Sequence, residues 1–282
     1  MSDPLVLGAV AYDPKVVTIW DGFQRWFRER GLPFEYVLYE NYERQVAQHF
    51  AGACHVAWNS PLAWLQAERV ARARGLEAAA IAMRDTDQDL TSVIVVRADS
   101  PVQRLEDLRG RTVGTGAADS PQATLIPLEH LAQKGLLAER DFAVRRFDRL
   151  LGKHGDHIGG ERDAARALMA GEVQAACMID GNHLLFAQEG TLPPGSTRVL
   201  AQTGTFDHCN FTVLGGAPPE LVDRFRTLLL SMSYADPQVR PLLDLEGLKA
   251  WRPGRTAGYA LLARACDRTG FLLPFLRQMG AA

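Results

Sequence analysis

The stretch LEDLRGRTVGTGAADSPQATLIPL, residues 105–128, decides how the rest of the chain is read. A short amphipathic segment closes at Gly110, and an apolar strand follows over residues 112–114. After Gly116 a turn of small residues ends in Asp119-Ser120-Pro121, where a helical pattern begins and runs over residues 122–134. Ser at the N-cap with Pro at the first helical position is a strong start signal. The hydroxyl accepts from an amide that has no helical partner, and Pro lacks an amide that would have none. A strand, a tight turn and a helix N-terminus present free N–H groups and the positive end of a helix dipole, which suits a small anion.

Strand and helix patterns alternate outward from this stretch. Residues 5–11 read as a buried strand, and 16–30 as an amphipathic helix with Ile19, Trp20, Phe23, Trp26 and Phe27 on one face. Strands at 34–39, 55–58 and 77–83 alternate with helices at 42–51 and 62–74. Residues 92–97, apolar and β-branched, read as the strand that crosses into a second lobe. That lobe continues through a strand at 142–147, a helix at 161–170 and a strand at 175–179, and residues 197–201 return the chain. A strand at 211–214, a helix at 219–232 and helices within 257–279 complete the first lobe. The pattern predicts an α/β protein of two lobes with two crossover hinge strands: lobe one from residues 1–93 and 200–282, lobe two from the inserted 94–199. Its ligand crevice is expected outside the strand C-termini.

Composition narrows the function classes. The 31 basic and 33 acidic residues are interspersed, without the basic stripe that nucleic acid requires. No stretch approaches the roughly 20 apolar residues of a membrane span. Cys54, Cys177, Cys209 and Cys266 have no paired spacing, so neither a zinc ribbon nor a disulfide framework is indicated, and reduced thiols fit. The opening MSDPLVLGAVAYDP has no cationic start and no apolar run of signal-peptide length, which points to a cytoplasmic protein.

The order Asp107-Leu108-x-Gly110-x-x-Val113, a turn, then Ser120 with Pro127 seven residues on, resembles the phosphonate- and phosphite-binding family of ABC-transporter solute receptors. The resemblance spans about residues 5–230. It implies a type II periplasmic-binding-protein fold whose two lobes close on a phosphonate-, phosphate- or carboxylate-like anion, with an ABC permease as partner if the chain is exported. Members of that family typically read Ser-Thr-Ser-Gly at the helix start; Ser120-Pro121-Gln122-Ala123 stands here, so only the first hydroxyl is kept. Their Asp-Val-Ala-Trp strand end is matched by His55-Val56-Ala57-Trp58, and their Gly-x-His by Gly152-Lys153-His154.

Polar residues at strand ends supply the candidate site. Tyr12, Asn59, Ser60, Asp87, Ser120, Gln122, Thr124, Asp180 and Asn210 are the candidate ligand-binding residues. Four of the seven histidines, His154, His157, His183 and His208, fall on predicted crevice loops, and with Asp156 they are candidate acids and bases. His154, His157 and Glu161 could hold a divalent metal, although the HExxH motif is absent. The remaining histidines, His49, His55 and His130, fit structural positions. Cys209 beside His208 would be a poor nucleophile if both lay on a strand, where neighbours face opposite sides. The main reading is therefore a small-anion binder. The alternative is a cytosolic enzyme on the same fold, a lyase, decarboxylase or hydrolase of a small anionic metabolite.

Overall fold

The first strand, β1 (Leu5–Val10), is buried on both faces, as its continuous apolar run requires of a parallel sheet. In the computed structural model, which describes residues 3–282, it is followed by α1 (Lys15–Glu29), β2 (Phe34–Tyr39), α2 (Tyr42–Phe50), β3 (Val56–Asn59), α3 (Pro61–Ala73) and β4 (Ala78–Arg84). Next come β5 (Ser92–Arg97), β6 (Thr112–Thr115), α4 (Ile126–Gln133), β7 (Ala143–Arg146), α5 (Gly159–Met169), β8 (Ala175–Ile179), α6 (Asp180–Gln188) and β9 (Thr197–Gln202). The chain ends through β10 (Asn210–Leu214), α7 (Pro219–Ser231), α8 (Arg240–Glu246), β11 (Trp251–Pro253), α9 (Ala260–Thr269) and α10 (Leu273–Gln278).

Two sheets result. One has the order β11-β4-β10-β3-β1-β2, with β1 parallel to β2 and β3 while β10 runs antiparallel between β3 and β4. The other has the order β7-β6-β8-β5-β9, with β6 parallel to β7 and β8 and β5 antiparallel to β8 and β9. The chain divides into two compact units, one of Met1–Gln88, Asp207–Tyr259 and Leu272–Ala282, the other of Asp89–Phe206 and Ala260–Phe271. The sequence reading sets the inserted lobe at 94–199. In the structure β5 and β9 pair with each other inside the second sheet, and α9 counts with the second unit, where Arg268 holds Glu129 of α4 through two hydrogen bonds of 2.6 and 2.9 Å.

The face predicted for the first helix is the one α1 buries: Val16, Ile19, Trp20, Phe23, Trp26 and Phe27. Phe23 and Phe27 meet Trp251, Phe34 and Phe225 in a run of ring contacts that fills the first unit's core. Each such fully buried aromatic contributes about 2–3 kcal/mol. In the second unit β5, paired on both sides, is buried from Ser92 to Val96, and its aliphatic side chains divide between two smaller cores on the two faces of the sheet. The four cysteines are buried and none is in a disulfide.

His49 of α2 is a buried imidazole whose Nε2 lies 3.4 Å from the carbonyl oxygen of His55, while Nδ1 finds no partner among the described residues. Burial pushes its pKa down from 6.5 to about 4. The unfolded chain therefore takes up a proton before the folded one does. His49 by itself should lower stability by about 3 kcal/mol as the pH drops from 6.5 to about 4, while Glu246, which burial lifts to about 7, acts in the opposite direction over the same range. Urea unfolding across that range should show the stability of the wild type falling by about 3 kcal/mol relative to His49→Gln; a constant difference between the two would remove His49 as a source of pH dependence.

Candidate functional site

The Ser120 turn folds as its sequence directs, with one departure. Ser120 Oγ accepts from the Ala123 amide at 3.1 Å, and Pro121 occupies the first helical position. The helix expected over 122–134 begins instead with a π-helical turn, Pro121–Leu125, before α4. Pro127 explains the difference: it has no amide to donate to the Ala123 carbonyl four residues back. Leu125 and Ile126 donate five residues back, to Ser120 and Pro121, and the Ala123 carbonyl accepts from Gly116 at 3.3 Å. The missing helical bond thus becomes a tie between the strand exit and the helix start.

The side chains around this turn form a buried network. Ser92 Oγ donates to the Gln122 carbonyl at 2.5 Å. The Gln122 amide donates to the Gly155 carbonyl at 2.7 Å and to Glu161 at 3.2 Å. Glu161 also accepts from the Ile179 amide at 2.9 Å and from Asn182 at 2.8 Å. Because the Gln122 nitrogen faces two acceptors, its oxygen is left as an acceptor, and Gln122 Oε1, Thr124 Oγ1 and Asp119 Oδ1 are buried without a partner among the described residues. Unspent polar capacity of this kind calls for a water or a ligand.

The histidine loop lies on this turn. Asp119 Oδ2 accepts from the amides of Gly152 at 2.7 Å and His154 at 3.3 Å, and Leu150, His154, His157 and Ile158 all have positive φ. Non-glycine residues held this way are strained and persist where the surroundings fix them. The structure thus gathers Ser120, Gln122, Thr124, His154, His157 and Glu161 in one region; the side chain of Asp156 lies outside the described residues. Asp180 and His183 were expected on a loop but open α6 directly. Asp180 accepts from Thr91 at 2.7 Å, and His183 Nε2 lies 3.1 Å from Thr197 Oγ1, with its pKa lowered by burial.

Several candidates in the first unit have structural partners. Asn59 donates to Thr212 at 2.9 Å and accepts from Gln45 at 2.7 Å, so its amide knits β3 to β10 and α2. Ser60 caps α3, accepting from Ala63 at 3.2 Å. Asn210 donates to the Tyr259 hydroxyl at 2.8 Å and accepts from Thr212 at 2.7 Å. Tyr12 packs against the core, and burial holds its hydroxyl well above the usual phenol range, with Glu246 adding to the effect.

Asp87 and His208 belong to a charged cluster that the sequence reading only half identified. Arg84 donates to both Asp87 oxygens, at 2.6 and 2.8 Å, and reaches Glu246 at 3.3 Å. Burial works to raise the Asp87 pKa, but the guanidinium outweighs it and holds the carboxyl at about 2. Burial lifts Glu246 to about 7. His208 Nδ1 lies 3.1 Å from Cys209 Sγ, contrary to the expectation of opposed side chains. Both residues precede β10, so strand alternation does not govern them. Among the described residues, Asp87, His208 and Cys209 are the three potential metal ligands whose donor atoms lie within 4.8 Å of one another. The expected trio His154, His157 and Glu161 forms no such group, since the Glu161 carboxylate is taken up by Gln122, Ile179 and Asn182. The Arg at the end of β4, one residue before an acid-rich loop, was the available signal for the Arg84 cluster.

The sequence pattern described as "ABC transporter, phosphonate, periplasmic substrate-binding protein" matches residues 9–259. The chain belongs to that family. Its fold is shared with PhnD1 of Prochlorococcus marinus, solved with methylphosphonate (TM-score 0.68, 16% identity, 94% of this chain and 98% of that one). A Xanthomonas citri protein solved with a chloride ion gives 0.70 at 20% identity over 95% and 100% of the two chains. The periplasmic aliphatic sulphonate-binding protein SsuA of Escherichia coli gives 0.59 at 16% over 99% and 97%. At these identities the likeness establishes the fold. No curated protein matches the sequence. The family's description is that of a periplasmic component, which fits the exported alternative and lends no support to the cytoplasmic one. Among the described residues no helix is long and apolar enough to cross a membrane.

Glu161 carries the polar interior of this region. Glu161→Ala would leave the donors of Gln122, Ile179 and Asn182 without their carboxylate and should cost about 3 kcal/mol. Urea denaturation checks it; a change below about 1 kcal/mol would mean that water replaces the carboxylate fully.

Proposed function

We propose that this protein is the ligand-binding component of an ABC importer, works in the periplasm, and takes a small oxyanion of the phosphonate, phosphate or sulphonate class at the Ser120 turn. The observation that carries this reading is the buried, partner-free hydroxyl of Thr124 beside a Ser-capped, Pro-led helix start in a chain of the phosphonate-binding family. A hydroxyl donor at the positive end of a helix suits an oxyanion oxygen, and it has to serve because the amides of Ala123, Thr124 and Leu125 are taken by Ser120. The free Gln122 oxygen adds an acceptor, which favours an anion that itself carries a donor, such as a monoprotonated phosphonate. Methylphosphonate in one fold relative and chloride in another are consistent with an anion ligand. The enzyme alternative draws no support from these relatives.

Isothermal titration with methylphosphonate, phosphite, phosphate and an alkanesulphonate tests the proposal. At least one should bind, and Ser120→Ala should weaken it by roughly 1–2 kcal/mol, a factor of about 5–30. Thr124→Val should weaken it similarly by removing the donor. Affinity unchanged in both variants would move the anion elsewhere, and no binding of any of the four would overturn the ligand class.

A further inference from the structure

We infer that Asp87, His208 and Cys209 form a binding site for one zinc-class divalent cation, in the first unit, whereas the Ser120 turn belongs to the second. His208 Nδ1 stands 3.1 Å from Cys209 Sγ and 3.6 Å from Asp87 Oδ1, and all three donor atoms lie within 4.8 Å of one another. In a tetrahedral site with bonds near 2.0–2.3 Å, neighbouring donors stand about 3.5 Å apart, so a small adjustment seats an ion.

The donors are held in place before any ion arrives. The His208 amide donates to the Asp87 carbonyl at 2.8 Å, which ties the two loops together. The Tyr259 hydroxyl donates to the His208 carbonyl at 2.8 Å and accepts from Asn210 at the same distance. Arg84 orients the Asp87 carboxylate through both of its oxygens. Ligating carboxylates are ordinarily supported by outer partners of this sort. Asp87 and Cys209 are buried while the His208 side chain keeps 17% of its exposure, which leaves a route in from solvent.

The donor chemistry selects the ion. One sulfur, one imidazole nitrogen and one carboxylate oxygen suit zinc and its neighbours, whereas magnesium and calcium prefer oxygen alone. Coordination takes a thiolate and a neutral imidazole, so the protons carried by Cys209 Sγ and His208 Nδ1 go to solvent as the ion binds. The thiolate and the Asp87 carboxylate, set against the Arg84 guanidinium, leave one net negative charge beside the dication, and Glu246, on the same guanidinium, supplies a second when it ionises. The fourth coordination position is left for water or an added donor.

Cobalt(II), titrated into the purified whole chain, is the probe. The expected result is a thiolate-to-cobalt charge-transfer band with the visible bands of a tetrahedral site, saturating at one equivalent and bleached by zinc. Cys209→Ser should lose the charge-transfer band and Cys54→Ala should keep it. Arg84→Lys should weaken binding by about 10–100-fold through its hold on Asp87. A zinc-dependent rise in the unfolding temperature of the wild type, absent in Cys209→Ser, gives a second readout if the variant is unstable. No charge-transfer band in the wild type, or a band that survives in Cys209→Ser, overturns the site. Loss of oxyanion binding with the cobalt band intact would count against the proposed function and leave this inference standing.

Discussion

Pro127 lacks an amide, and much of the second unit's polar interior follows from that. The Ala123 carbonyl, left without its helical donor, accepts from Gly116, and the helix opens with a π-turn. Single π-turns of this kind are often found at functional sites, because they redirect a side chain without breaking the helix. Here the redirected side chain is Gln122, which reaches both the Gly155 carbonyl and Glu161. The strained loop over residues 150–158 is fastened to the same turn through Asp119. One absent donor thus sets the position of a cap, an amide and a histidine loop.

Two of the buried carboxylates, Glu161 and Asp87, are kept by different means. Glu161 is surrounded by neutral donors from Gln122, Ile179 and Asn182, which spread its charge over hydrogen bonds. Asp87 is held by the Arg84 guanidinium, a charge-assisted bidentate pair. Breaking a buried pair by removing one partner costs more than the pair contributes as a whole. Arg84 serves two acids, and its closer grip on Asp87 leaves Glu246 as the one whose pKa burial can lift, to about 7.

The membership of this chain in a receptor family and the state of its helix start bear on each other. The Ser-Thr-Ser-Gly of the resembled family is replaced by Ser120-Pro121-Gln122-Ala123, so hydroxyls that would meet an oxyanion give way to a ring and an amide. Thr124, one turn on, restores a buried hydroxyl. The helix start thus keeps hydroxyls while their positions along it change.

What the sequence by itself determined is local. The Ser120 cap, the apolar face of α1, the buried run of β5 and the alternation of strands and helices are set by contacts between residues a few positions apart, and periodicity and capping chemistry read those directly. The tertiary structure alone decided which polar side chains are already engaged. Asn59 and Asn210 stand at strand ends where ligand-binding residues are expected, yet each is satisfied inside the first unit, Asn59 by a hydroxyl 153 residues along the chain. His208 and Cys209 face each other because they lie before β10, outside the paired strand, and Glu161 is spent because α5 brings it against Gln122 and β8. A hydrogen bond is satisfied by whatever donor the fold delivers within about 3 Å. Residue type and spacing specify the capacity of a side chain to bind, and only long-range packing specifies whether that capacity is still free.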